Sequence, residues 1–313
     1  MEPIPAGSSP ADDKVEHYEL GLCLSGGGYR AMLFHAGVLC RLNEAGLLQK
    51  IDMVSSVSGG SIAAGLLAVL WPRLSFADGV ATNFRELYVE KILAFSQVFL
   101  DAPSILKGVF NPFSSAAREV ATCYERHLFD GKVPTLKSLT RRPWFVFCSS
   151  NLSTGSLFRM SNRYIADYRI GMAKHADTTD NQVRSLRRRD LIARFQAAKD
   201  ADDQGLPNDA TRPDYAATRG VYWSIASKPD AAEPSFVQSA AIAPADIGTS
   251  LHFLGSEETI DLVNWGYCAS DQALQSWYRP AVPAGKGVPL KAGDVKPGRC
   301  AVVSKALMSG FKV

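Results

Sequence analysis

The stretch from Tyr18 to Leu70 reads YELGLCLSGGGYRAMLFHAGVLCRLNEAGLLQKIDMVSSVSGGSIAAGLLAVL. Apolar residues alternate with small or polar residues over Tyr18–Leu24, which predicts a β-strand. Glycines follow that strand, and glycine leaves backbone N–H groups free to approach a ligand. A broad apolar face from about Tyr29 to Ala45 then predicts a helix, and Gly46 stands where a helix cap belongs.

A second strand and a second helix follow directly. The strand is predicted over about Ile51–Val57 and the apolar helix over Ser61–Leu70. A strand–helix–strand unit of this length forms a right-handed parallel crossover, so both strands end at the same edge of the sheet. Open parallel sheets bind ligands at that edge. We therefore expect Gly28 and Ser58 to lie close together, although 30 residues separate them.

Ser58 stands between the second strand and the second helix. Gly59 and Gly60 follow it, and small neighbours let the backbone bend sharply and push the hydroxyl outward. The backbone N–H groups of the glycine loop would then face the negative charge that forms on an attacked carbonyl oxygen. The combination predicts a serine hydrolase.

At these residues the sequence resembles the patatin-like phospholipases. That family pairs an Asp-Gly-Gly-Gly-x-Arg-Gly loop with a Gly-x-Ser-x-Gly elbow, where this chain has SGGGYRA from residue 25 and SVSGG from residue 56. Three small residues depart from the family pattern: Ser25 replaces Asp, Ala31 replaces Gly and Ser56 replaces Gly.

The resemblance implies a role for each residue of the two motifs. Ser58 would be the nucleophile, the N–H groups of Gly26, Gly27 and Gly28 would form the oxyanion hole, and Arg30 would support that loop. The fold would be α/β, with three α/β/α layers, a mostly parallel central sheet and helices on both faces. The substrate would be a phospholipid or another acyl ester, and neither a metal nor an organic cofactor is implied.

The aspartate that completes the family's Ser–Asp dyad is not identifiable. In the family it lies in Asp-Gly-Gly or Asp-Gly-Ala, and neither tripeptide occurs in this chain. The resemblance runs through Tyr164–Ile170 and resumes at Asp180, so we interpret residues 171–179 as the site of an internal deletion. Asp180, Asp261 and Asp271 are candidate substitutes for the missing acid. Without a base, a serine hydroxyl is a weak nucleophile.

Two other functions stay open, together with one alternative base for the hydrolase. The chain could be an inactive relative that binds lipid or a protein partner. It could bind a dinucleotide, because Gly26-x-Gly28-x-x-Ala31 loosely matches that fingerprint, although the second strand lacks the expected terminal acid. His252 follows Ser58 in the order of an α/β-hydrolase triad and offers a fallback base.

Composition sets further bounds. The chain has 313 residues, of which 46% are hydrophobic, and a net charge of +3, which is too small to imply nucleic acid. The six cysteines form no C-x-x-C pair, which predicts free thiols in a reducing compartment and no zinc site. No signal peptide is recognisable, and the longest apolar run, Ile62–Trp71, is too short to span a bilayer. We expect a soluble cytoplasmic protein with at most peripheral contact at a membrane surface.

The remaining chain predicts one domain with two tails. Residues 1–15 are expected to be a disordered tail, residues 16–278 the patatin-like domain with a polar linker over residues 200–219, and residues 279–313 an irregular tail. The basic amphipathic helix Asp180–Lys199 could lie on anionic lipid, but a solvated face is the favoured interpretation. Further predicted elements are a helical pattern over Ser75–Leu106, a helix over Ser114–Leu128, a strand and its hairpin partner over Pro143–Ser150 and Ser156–Ser161, a strand over Gly220–Ala226 and a helix over Glu257–Trp277.

Overall fold

The structure is a computed structural model, and it describes nine segments of the chain. These are residues 19–98, 116–131, 135–151, 155–166, 180–204, 219–227, 243–251, 254–279 and 281–296. The predicted N-terminal tail, the proposed deletion point at residues 171–179, most of the predicted linker, and His252 lie outside the described residues. So does the side chain of Asp180.

The elements around the glycine loop and Ser58 follow the predicted order of strand, helix, strand and helix. The strands are β1 (Gly21–Leu24), β2 (Met53–Val57), β3 (Phe76–Ala77), β4 (Val80–Ala81), β5 (Trp144–Ser150), β6 (Leu157–Ser161) and β7 (Ile165–Ala166). The α-helices are α1 (Gly28–Glu44), α2 (Gly59–Leu70), α3 (Glu90–Ser96), α4 (Ala116–His127), α5 (Asp180–Asp203) and α6 (Ser256–Trp277).

The central sheet confirms the predicted α/β class. Its strand order is β1-β2-β5-β6-β7; the pairings of β1 with β2 and of β2 with β5 are parallel, and the last two pairings are antiparallel. Leu24 pairs with Ser56, so β1 and β2 end at the same edge of the sheet. Both parallel crossovers step in the same direction, which places α1 and α2 on one face. There the two helices pack against each other.

The two faces of the sheet differ in burial. Leu22, Leu24 and Val54 point toward the helices and are buried, because a strand directs alternate side chains to opposite faces. Cys23 and Val57, on the other face, are exposed. A cavity beside β1 is lined by residues of both faces and by α5.

Helices α1 and α6 cross at two glycines. A methyl group added at Gly37 would lie 1.8 Å from the Val263 carbonyl oxygen, and one added at Gly266 would lie 1.9 Å from the Phe34 carbonyl oxygen. The helix backbones therefore touch at a separation that only glycine permits. This crossing fixes α1, and hence the glycine loop at its N-terminus, to the C-terminal part of the chain.

His35 joins α1 to the loop that precedes it. Its side chain is 3% exposed, and Nε2 lies 3.1 Å from the Ser25 carbonyl oxygen and 3.3 Å from Ser25 Oγ. The carbonyl can only accept, so Nε2–H donates to it. Burial lowers the pKa of His35 to about 4, and the hydrogen bond to the Ser25 backbone offsets only part of that effect. The ring is therefore neutral at pH 7.

Three predicted elements need correction. Residues 219–227 form no strand, because they pair with no strand among the described residues; instead Trp265 Nε1–H donates to the Ile225 carbonyl. The helical pattern predicted from Ser75 begins as the β3–β4 hairpin, which turns at Asp78-Gly79. Helix α5 continues to Asp203, into the predicted linker. Among the described residues, no helix combines the length and the hydropathy needed to cross a bilayer.

We predict that Gly37→Ala lowers the free energy of unfolding by about 3 kcal/mol, because the added methyl group forces α1 and α6 apart. Gly65→Ala is the matched control, since its methyl group would lie 3.8 Å from the nearest atom of Phe129, an ordinary contact. Denaturant titration of both variants measures the difference. Equal stabilities would contradict this account of the crossing.

We predict that His35 makes the protein less stable in acid. Its folded pKa of about 4 lies below its ordinary value of 6.5, so the unfolded chain binds the proton more tightly. The stabilisation from the neutral ring is complete above pH 6.5 and is lost as the pH falls toward 4. The free energy of unfolding should therefore fall by about 2–3 kcal/mol between pH 7.5 and pH 4.5. His35→Gln, which cannot titrate, should lose that part of the pH dependence in denaturant titrations. Parallel pH profiles for both proteins would show that His35 does not cause it.

Candidate functional site

Ser58 occupies the junction between β2 and α2. Its backbone has φ 50° and ψ −120°, in a region that residues other than glycine rarely adopt. Its side chain is exposed and does not cap the helix that follows. A serine held on a strained turn between a strand and a helix has the geometry of a nucleophile elbow.

The glycine loop packs directly against this turn. A methyl group added at Gly26 would lie 3.1 Å from Ser58 Cβ, and one added at Gly59 would lie 2.1 Å from the Gly28 carbonyl oxygen. At Gly60 the same addition would lie 2.6 Å from the carbonyl oxygens of Leu24 and Ser25. The structure therefore brings the glycine loop and Ser58 together, as the parallel crossover predicted.

The loop presents unused backbone donors. Gly28 is the first residue of α1, and the N–H groups of a first helical turn have no partner within the helix. Among the described residues, no acceptor is recorded for the N–H groups of Gly26, Gly27 or Gly28. Tyr29 differs, because its N–H donates to the Ser250 carbonyl at 3.0 Å. Gly28 itself is buried, whereas Gly26 is exposed.

A distant segment supports the loop from its other side. A methyl group at Gly28 would lie 2.3 Å from the Ser250 carbonyl oxygen, so this segment touches the loop backbone. Arg30 donates from one terminal nitrogen to the carbonyls of Ala245 at 2.9 Å and Ile247 at 2.7 Å. Arg30 therefore fixes residues 243–251 against the loop.

Two supporting contacts were not predicted from the sequence. No role for His35 was predicted from the sequence, although a histidine on the apolar face of a helix indicates a buried hydrogen bond. The sequence pattern of residues 243–251 did not indicate that they contact the glycine loop, because their contact with Arg30 spans more than 200 positions.

Two of the predicted candidates for the acid, Asp261 and Asp271, are buried on α6. Asp271 Oδ1 lies 2.6 Å from Arg41 Nε and accepts the Gly285 N–H, so it belongs to a buried ion pair. Asp261 is fully buried on α6. Within the segments that the structure describes, the Ser58 hydroxyl has no recorded hydrogen-bond partner. The structure thus places the predicted loop and serine together and leaves the acid unassigned.

The family comparison agrees with the two motifs. The patatin-like phospholipase family profile matches residues 22–227, about two thirds of the chain. The matched region contains the glycine loop, both parallel crossovers and the antiparallel strands of the sheet.

Individual relatives match over shorter lengths. One relative is the Saccharomyces cerevisiae protein named "Putative meiotic phospholipase SPO1". It is 42% identical to this chain over 43 residues, which are 14% of this chain and 7% of that protein. Two structures of human GIVD cytosolic phospholipase A2 with methyl gamma-linolenyl fluorophosphonate, one of them with terbium chloride, align over 49% of this chain and 24% of theirs. The structure with terbium chloride is 16% identical to this chain with a TM-score of 0.33, and the other is 20% identical with a TM-score of 0.35.

The matched part of the chain therefore spans less than a quarter of the length of each of these relatives. The family profile, in contrast, covers more than half of the chain itself. On that coverage, together with the paired glycine-loop and elbow motifs, this chain belongs to the patatin-like phospholipase family.

Proposed function

We propose that this protein hydrolyses the acyl ester of a phospholipid or a related lipid through a Ser58 acyl-enzyme. The observation that carries the proposal is the exposed Ser58 on a strained turn, packed against a glycine loop whose N–H groups have no recorded acceptor among the described residues. Membership of a phospholipase family supports lipid as the substrate class.

Each proposed step uses groups at this site. Ser58 Oγ forms a bond to the ester carbonyl carbon, and the N–H groups of Gly26, Gly27 and Gly28 stabilise the negative oxygen. The bond to the alcohol breaks, and the alcohol leaves with the proton that Ser58 gave up. Water then attacks the acyl-enzyme, which releases the fatty acid and returns a proton to Ser58.

The first step needs a base to accept the Ser58 proton. If the protein has no such base, a second function has to be considered. Without a base within hydrogen-bond reach, turnover by Ser58 falls by orders of magnitude. Because the described part of the chain provides no partner for the Ser58 hydroxyl, an inactive relative that binds lipid is the second candidate. Asp180 and Asp261 stay candidates for the acid, whereas the ion pair with Arg41 occupies Asp271.

The dinucleotide alternative has less support. The end of β2 carries Val57 rather than an acid that could bind a ribose. The backbone of Gly59 also fills the space beside Gly28. A pyrophosphate at this loop would have to share it with the Ser58 turn.

We extend the proposal to domain and location. The family match over residues 22–227 and the packing of α6 on α1 support one patatin-like domain over residues 16–278. The free thiols among the described cysteines agree with a cytoplasmic location, with lipid met at a membrane surface.

We predict that a fluorophosphonate labels one serine, Ser58, and that Ser58→Ala abolishes this labelling. Hydrolysis of p-nitrophenyl esters by Ser58→Ala should fall by about 100-fold or more, since the variant keeps only the oxyanion donors. Ser61→Ala is the matched control, because Ser61 lies one turn further along α2 and bonds to Ser56. Intact-protein mass spectrometry reads the adduct.

The outcomes of this experiment separate the candidates. Equal labelling of Ser58→Ala and the wild type would refute Ser58 as the nucleophile. Labelling without ester turnover would favour the inactive lipid-binding relative. Tight binding of NAD in a titration would support the dinucleotide function instead.

We predict that Gly59→Ala slows fluorophosphonate labelling by about 10-fold or more, because the methyl group would push the Gly28 backbone out of place. Gly65→Ala, on the same helix, should label at the wild-type rate. Circular dichroism at the labelling temperature checks that both variants are folded. Unchanged labelling of folded Gly59→Ala would mean that loop position does not matter for reactivity.

A further inference from the structure

One side chain of helix α1 reaches back to the loop that precedes the helix. His35 follows Gly28, the first residue of α1, by about 10 Å along the helix axis. Helical side chains tilt toward the helix N-terminus, so the imidazole returns to the start of the glycine loop. There its Nε2 lies 3.1 Å from the carbonyl oxygen of Ser25.

This imidazole binds one residue. Among the described residues, its hydrogen-bonding contacts are to Ser25, at the carbonyl and, 3.3 Å away, at the hydroxyl. The other ring nitrogen, Nδ1, is buried and has no recorded partner there. Buried polar atoms are normally paired. A buried histidine that leaves one nitrogen unpaired therefore contributes to the site through the single N–H that it donates.

The Ser25 carbonyl is enclosed by two helices. His35 binds it from α1, and a methyl group added at Gly60, on α2, would lie 2.6 Å from the same oxygen. Both His35 and Gly60 are buried. The carbonyl oxygen therefore lies in the junction between α1 and α2, on the inner side of the loop.

The direction of this carbonyl fixes the direction of the next N–H group. A trans peptide unit is planar, so the Gly26 N–H points opposite to the Ser25 carbonyl. It therefore points away from the junction of the two helices, and Gly26 is exposed. Ser58 is the neighbour of this peptide unit, because a methyl group added at Gly26 would lie 3.1 Å from Ser58 Cβ.

We propose that His35 is a positioning residue that aims the Gly26 N–H at the oxyanion of the reaction. The inference rests on the function proposed for Ser58. His35 acts through the Ser25–Gly26 peptide unit and touches no reacting atom. Without the Nε2–H bond this unit can rotate, since the glycine on one side of it restricts the backbone little, and the Gly26 N–H then loses its direction.

The test measures the kinetics of Ser58 labelling by a fluorophosphonate in variants of His35. His35→Leu has no donor and should lower the maximal labelling rate by about 10- to 100-fold, because loss of a whole oxyanion donor costs about 10²–10³. The inhibitor concentration that gives the half-maximal rate should stay within about 2-fold, since the donor stabilises charge that develops only during the reaction.

Two further substitutions separate the donor from the shape of the side chain. His35→Gln places an amide N–H near the position of Nε2 and should recover most of the wild-type rate. His35→Asn is one methylene shorter, so its amide lies about 1.5 Å further from the carbonyl, and it should label as slowly as His35→Leu. The pair keeps the test sharp if His35→Leu does not fold. His127→Leu, on the exposed surface of α4, is the matched control and should label at the wild-type rate.

A crystal structure of His35→Asn provides a readout that needs no reaction. It should show the Ser25–Gly26 peptide rotated from its orientation in the wild type. An unchanged peptide would overturn the positioning role, because the carbonyl would then be held without His35.

The kinetic outcomes distinguish this role from the function on which it rests. Equal maximal rates in His35→Leu and the wild type would overturn the role, as would a loss seen only in the half-maximal concentration. Labelling of His35→Gln as slow as that of His35→Leu would also overturn it. In each case the wild type is labelled and the proposed function stands. A wild type that is not labelled at Ser58 would overturn the function and the role together.

Discussion

The contact between the backbones of Gly28 and Gly59 constrains everything else at this site. A single methyl group at residue 59 would lie 2.1 Å from the Gly28 carbonyl oxygen, so the glycine loop and the Ser58 turn fit together only without side chains. Neither can shift alone. In the mechanism we propose, this packing holds the Ser58 turn and the loop N–H groups in place before any substrate arrives, which is what electrostatic stabilisation of an oxyanion requires.

Contacts outside the motifs hold this arrangement in place. His35 binds the Ser25 backbone from inside α1, and Arg30 holds the carbonyls of Ala245 and Ile247 on the other side of the loop. The glycine crossing of α1 and α6 anchors the helix that begins at the loop. The supports come from distant parts of the chain, so the loop geometry depends on the folded domain as a whole.

The sequence predicted the elements whose signals are local. β1, α1, β2 and α2 follow from alternation, helical periodicity and glycine turns, and their parallel pairing follows from the handedness of crossovers. Contacts between distant positions of the chain could not be predicted from the sequence alone. Residues 219–227 have the composition of a strand but pair with no strand in the part of the chain that the structure describes. The targets of Arg30 lie more than 200 positions away. The acid of the dyad could not be assigned because no local motif marks it.

The most direct measurement is a crystal structure of the fluorophosphonate adduct. The account predicts a covalent bond from Ser58 Oγ to phosphorus, with the phosphonyl oxygen about 2.7–3.1 Å from the N–H nitrogens of the loop formed by Gly26, Gly27 and Gly28. The same structure would reveal the nearest carboxylate. An adduct on another residue, or a phosphonyl oxygen pointing to solvent with the three N–H groups unoccupied, would contradict the central claim.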